Sequence, residues 1–194
     1  MVERIKLKCD QCSRNLSGSN NSKVFFCLQC DRVFDVSGKI PEFYKLRYAN
    51  VKQVRDYPME YFPFWLLKCE YSFESTESDG TSSEKYDFIV PAFFIKNINY
   101  FGDIGFYYRL KGIVPEYGDS MNIKVFPADR GLEDASKYPY IYLMKENSKN
   151  INSNSLKIVV NEVGVELILI PFYKKDSSYY DSFLSWKYPP GALI

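Results

Sequence analysis

The sequence predicts a β-dominant α+β protein: a small cysteine-bearing unit at the N-terminus, then a mostly antiparallel β domain with one or two helices. Three observations predict it. Four of the five cysteines fall in two Cys-x-x-Cys steps, Cys9 with Cys12 and Cys27 with Cys30, with fourteen residues between them. Downstream, apolar and polar residues alternate in short runs bounded by Gly, Pro, Asn, Asp and Ser, the signature of strands joined by turns. Apolar residues are 46% of the 194 and aromatics 18%, ample for a packed core.

The cysteine steps come first. The two residues inside each step form a tight turn, so both its thiols can point at one ion. Two such turns make a tetrahedral Cys₄ cage, and the spacing predicts a zinc ribbon with Cys9, Cys12, Cys27 and Cys30 as ligands. Iron of rubredoxin type suits the same cage. The alternative is four reduced thiols or two disulfides. Ile5–Lys8 alternates into the first turn. Residues 14–22 are polar and turn-rich, as a ribbon loop should be. Lys23–Phe26 reads as a strand entering the second turn and Arg32–Val36 as the strand leaving it. Ser37–Pro41 ends the unit. The predicted organisation is a ribbon over 1–40, a connector over 41–56 with a strand through Phe43, Leu46, Tyr48 and Val51, and a β-rich α+β domain over 57–194.

In the larger domain, Trp65, Leu67, Cys69, Tyr71 and Phe73 alternate with Leu66, Lys68, Glu70 and Ser72, predicting a half-buried strand. Ser75–Ser83, with Asp79-Gly80 at its tip, is a hairpin loop, and Lys85–Val90 returns. Pro91 interrupts that strand and puts 91–95 at a sheet edge. Residues 97–114 carry a loose helical stripe weakened by Gly102 and Gly105. Met121–Phe126 reads as a short strand. Asp129 is placed to cap a helix over 130–137, with a second half beyond Pro139 running to Lys145. After an Asn/Ser-rich loop over 147–155, Leu156–Val160 and Gly164–Ile170 read as two strands, the second central. Asp176–Ser178 turns the chain, Tyr179–Trp186 returns, and Pro189-Pro190-Gly191 ends it. Phe62-Pro63-Phe64-Trp65 is echoed by Ile170-Pro171-Phe172-Tyr173, each followed by a polar turn and an aromatic return strand, as in a pair of related β-hairpins.

The order of the ribbon, Tyr61–Trp65, Val90-Pro91-Ala92-Phe93, Leu169–Tyr173 and a Tyr180-Asp181 return resembles a group of bacterial zinc-ribbon proteins of uncharacterised function. The resemblance spans most of the chain. It implies a ribbon followed by a β-rich domain. It implies no activity, substrate or catalytic residue.

The sequence argues against enzyme chemistry. There is no histidine, so histidine bases, Cys-His dyads and histidine metal ligands are excluded. No Gly-rich phosphate loop appears. Cys69, on the apolar side of its strand, reads as core rather than nucleophile. Asp87 and Asp181, each in an aromatic return strand, form a hydrolytic pair only if the two hairpins bring them together. Net charge is +1, yet residues 1–55 carry eleven Lys and Arg against five Asp and Glu. No window is apolar and long enough to cross a bilayer, Met1–Arg4 shows no secretory h-region, and free thiols favour the cytoplasm. The leading expectation is a non-enzymatic interaction module or accessory subunit of a larger assembly. Its contacts are expected to come from the aromatic residues Phe62, Phe64, Trp65, Phe172 and Tyr173. Nucleic-acid binding through the basic ribbon, with Phe25, Phe26 or Phe34 stacking on bases, is a second reading. A one-electron carrier with iron in the cage is a third. No small-molecule substrate is evident.

Overall fold

A computed structural model of the chain describes residues 7–50, 56–75, 82–96, 104–113, 115–118, 123–147 and 156–188. Among the described residues, nine strands make one sheet: β1 (Val24–Cys27), β2 (Arg32–Asp35), β3 (Glu42–Ala49), β4 (Met59–Ser75), β5 (Ser82–Pro91), β6 (Tyr117–Gly118), β7 (Leu156–Lys175), β8 (Ser178–Asp181) and β9 (Lys187–Tyr188). The main path runs β1-β2-β3-β7-β4-β5, with β6 on β3, β8 on β7 and β9 on β8. Every pairing is antiparallel except β3 with β7. The helices are α1 (Ile104–Leu110), α2 (Leu132–Ala135) and α3 (Tyr138–Asn147). The β-dominant α+β class with an N-terminal ribbon is therefore the observed one.

Several elements differ from their sequence pattern. β4 is buried on both faces from Tyr61 to Leu67, not half-buried: Phe62, Phe64 and Trp65 are fully enclosed and Leu66 nearly so. Helices cover both sides of this part of the sheet, which periodicity along one strand cannot report. One face packs Trp65, Leu67, Phe88 and Leu169 against Tyr142 and Leu143 of α3. The other packs Phe62, Phe64, Ile168 and Phe172 against Ile104 and Tyr108 of α1. The two strands expected over 156–170 are one strand, β7. Its register shifts by one beside Lys68 and Cys69, leaving Val163 as an extra, exposed residue.

Pro63 and Pro171 lie inside β4 and β7 without breaking them. The Pro63 carbonyl accepts from Ala92 N–H at 2.9 Å and the Pro171 carbonyl from Ser182 N–H at 3.2 Å, just past the ends of β5 and β8. A strand residue's N and C=O face the same edge, so each proline nitrogen points away from the β4–β7 ladder. The two echoed steps face each other there, Phe62 opposite Ile170.

The helical predictions shift as well. α1 is shorter than the 97–114 stripe, and its first part, 97–103, lies outside the described residues. Gly105 seats α1 against β5: a Cβ there would sit 1.6 Å from the Ile89 carbonyl oxygen. Asp129 is not a helix cap; it accepts the Phe94 N–H at 2.6 Å, and Gly131 precedes α2. Of the strand expected over Met121–Phe126, residues 121 and 122 lie outside the described residues, and 123–128 make single bridges, Tyr61 with Val125 and Val24 with Ala128. The final return is short, β8 giving way to a turn before β9. The turn before β8 is as expected: Asp176 and Ser177 have φ of 49° and 61°, the pattern of a two-residue type I′ hairpin turn. Ile5, Lys6, Val51–Arg55, the tip at Asp79-Gly80, residues 148–155 and Pro189–Gly191 lie outside the described residues.

The ribbon strands do not pack apart from the rest. β3, from the expected connector, pairs with β2 on one side and β7 on the other, and Val24, Phe26 and Val33 join the same core as Trp65.

Candidate metal centre

The two cysteine turns close with different backbone bonds and share a left-handed residue after the second cysteine. In the first, Cys9 N–H donates to the Arg14 carbonyl and Ser13 N–H to the Cys9 carbonyl, both at 2.9 Å. In the second, Cys30 N–H donates to the Cys27 carbonyl at 3.3 Å. The residue after each second cysteine turns left-handed, Ser13 at φ 59° and Asp31 at φ 50°. Asp tolerates that region better than most residues, because its short side chain bonds locally.

The turns bring Cys9, Cys12, Cys27 and Cys30 together, all four Sγ within 4.8 Å of one another. Cys12 Sγ and Cys27 Sγ are 3.7 Å apart. A tetrahedral ion with metal–sulfur bonds of about 2.3 Å needs sulfurs about 3.8 Å apart. The donor set therefore fits a metal ion. Cys9 and Cys27 are buried, and Cys12 and Cys30 are half-buried. A small cluster with Leu16 and Phe34 surrounds them, and Phe34 stacks on Phe43 at 4.5 Å.

The thiols perturb one another. A backbone hydrogen bond with Arg14 holds the Cys12 thiol down at about 7. Cys30 is pushed up to about 12, first by its hydrogen bond with Cys12 and then by burial. Burial also raises Cys27. Without a cation, one thiolate in this cage discourages the next; a dication at the centre reverses that.

Residues beyond the cysteines hold the cage in place. Asp31 accepts the Leu46 N–H on its carbonyl and the Tyr48 hydroxyl on its carboxylate, both at 2.8 Å, tying the second turn to β3. Arg32 pairs with Asp10 at 3.2 Å, bridging the two turns. Asp35, at the end of β2, accepts Leu132 N–H at 2.7 Å and so caps α2 from 97 residues away. Sequence reasoning missed these. A left-handed-tolerant residue after Cys30 was a usable signal for Asp31; nothing local marked Asp35.

The other expected site residues are not a surface. Phe62, Phe64, Trp65 and Phe172 are fully buried and Tyr173 is 5% exposed, so these five are core packing residues. Of the three phenylalanines proposed for base stacking, Phe26 and Phe34 are buried and only Phe25 is part-exposed. Cys69 is buried, and burial pushes its thiol up to about 12, which leaves it unreactive. Asp87 and Asp181 do not converge. Asp87 sits beside Lys68 and Asp181 beside Phe172, itself opposite Glu60. Eight residues of β4 separate those positions, about 27 Å at roughly 3.4 Å per residue. Exposed apolar side chains lie elsewhere: Tyr140, Ile141 and Met144 on the outer side of α3 are 47%, 51% and 41% exposed. No helix is long and apolar enough to cross a membrane among the described residues. No protein-family model, curated protein or solved structure matches the chain.

Proposed function

We propose that the chain is a zinc-ribbon protein that docks onto another protein as an accessory subunit and performs no chemistry of its own. The cysteine cage carries this reading. Four thiolates with no other ligand type suit Zn²⁺, and four protein ligands leave no coordination position for a substrate, as in structural zinc sites. The apolar outer side of α3 supports the docking part. Three large side chains there are left in water on one short helix, and interfaces gather such residues.

Two measurements test it. Elemental analysis of protein purified without added metal is expected to find one zinc per chain; one iron, with a coloured protein, points to a one-electron carrier instead. Tagged protein in its own host is expected to recover a partner in constant ratio, and Ile141→Glu with Met144→Glu to lose that partner while keeping the fold. Recovery of no partner, or of one indifferent to those substitutions, overturns the docking role at α3.

A further inference from the structure

β7 is 20 residues long, and only part of its outer edge is used. β4 pairs with it along one side from Leu156 to Tyr173. On the other side β3 covers Glu166–Leu169 and β8 covers Phe172–Lys175. Among the described residues, no strand and no backbone hydrogen bond meets that side over Leu156–Val165.

The ladder decides which backbone groups are free. Lys174 N–H donates to the Pro58 carbonyl. In an antiparallel ladder alternate residues face opposite edges, so even-numbered residues of β7 from Gly164 onward face β4. Lys68 opposes Gly164 and Cys69 opposes Glu162, so the extra Val163 moves the phase by one. Ile158, Val160 and Glu162 therefore turn their N–H and C=O outward.

That free edge is rich in β-branched residues, and Lys157 and Glu162 are its only charges. Natural sheets blunt such edges with charge, proline or a covering element. The opposite edge of the sheet follows that rule, with exposed Glu84, Lys85 and Asp87 on β5. The β7 edge is blunted less: over Leu156–Val165 it has only Lys157, Glu162 and the bulge at Val163, with no proline. α3 packs over β7, with its apolar outer side uncovered.

The geometry points to a second copy of this chain as the occupant: a two-fold dimer in which the β7 edges pair antiparallel, with Val160 on the axis. In that register Val160 faces its own copy and Ile158 faces Glu162 of the other. All are outward residues, so each free N–H meets a free C=O. The segment is neutral, and neither charge opposes itself. The two-fold keeps both α3 helices on one face of the joined sheet.

Sedimentation equilibrium of the metal-loaded full chain across the micromolar range is expected to show a dimer. Val160→Pro removes an N–H that faces away from β4. It is expected to leave the circular dichroism unchanged and to weaken the dimer roughly thirtyfold, one hydrogen bond being lost from each copy. Hydrogen exchange followed residue by residue needs no substitution. The amides of Ile158, Val160 and Glu162 should be protected in the dimer and exposed on dilution, with those of Val159 and Asn161 protected throughout. A monomer over the whole range overturns the inference, as does a dimer in which the Ile158, Val160 and Glu162 amides exchange freely.

Discussion

Asp181 and Asp87 stand in return strands of similar composition and do different work. Asp181 is fully buried, and its carboxylate accepts the N–H groups of Phe183, Leu184 and Trp186 at 3.1, 2.6 and 2.9 Å. Tyr108 donates to it from α1 at 3.3 Å. One side chain thus shapes the turn between β8 and β9 and ties it to a helix. Asp181→Ala leaves the buried Tyr108 hydroxyl and three half-buried N–H groups without this acceptor and is expected to cost about 3 kcal/mol, lowering Tm by roughly 6–12 °C. Asp87→Ala, on an exposed strand position, is expected to stay within about 0.5 kcal/mol. Asp35 is intermediate. Its carboxylate caps α2 and accepts Ser37 N–H and Oγ–H, so Asp35→Ala should cost about 1 kcal/mol in urea denaturation. Aspartates were visible in the sequence, but their roles were not, because burial and the identity of the donors come from distant segments.

Among the elements, β7 is the spine. It pairs with β3, β4 and β8, and its Glu166 is held in ion pairs rather than left exposed. Glu166 takes Arg47 in a two-bond pair at 2.7 and 3.1 Å, with Lys68 at 3.5 Å. Hydrogen bonding to Arg47 is the main cause holding the Glu166 carboxyl below its ordinary range. A carboxyl depressed on folding contributes stability above its unfolded pKa and loses it as pH falls through the folded value. Glu166→Gln is therefore expected to cost about 2 kcal/mol at neutral pH and little once the wild-type carboxyl is protonated. Denaturation midpoints that converge only in acid would show it; a gap independent of pH would assign the loss to packing. The length of β7 was not legible, because Asn161 to Gly164 carry turn residues that the structure uses for a register shift.

At the scale of the whole molecule, the ribbon is part of the sheet. β2 pairs with β3, Lys23 and Val24 donate to the Ala128 carbonyl, and Val24, Phe26 and Val33 lie in the larger core. A ribbon held only by its metal would melt separately on chelation. A metal held by these cysteines would fix two turns whose strands also carry core residues, so its binding energy would be shared with the whole fold. Calorimetry in the presence of a strong chelator is expected to show one transition at lower temperature, not a small early transition followed by an unshifted large one.

Spacing and alternation along the chain were enough to mark the four cysteines that could hold a metal, the β-dominant class and the turn at Asp176-Ser177. Each is written in local spacing: two residues between thiols, alternation along strands, and paired residues at a hairpin tip. That the aromatic steps at Phe62–Trp65 and Ile170–Tyr173 are core, that β4 is enclosed on both faces from Tyr61 to Leu67, and that the ribbon joins the main sheet through β3 came from the folded chain alone. Those depend on which elements meet across long separations, and neither hydrophobicity nor period along one strand carries that information. Aromatic residues suit a core and an interface equally well, and burial alone tells the two apart.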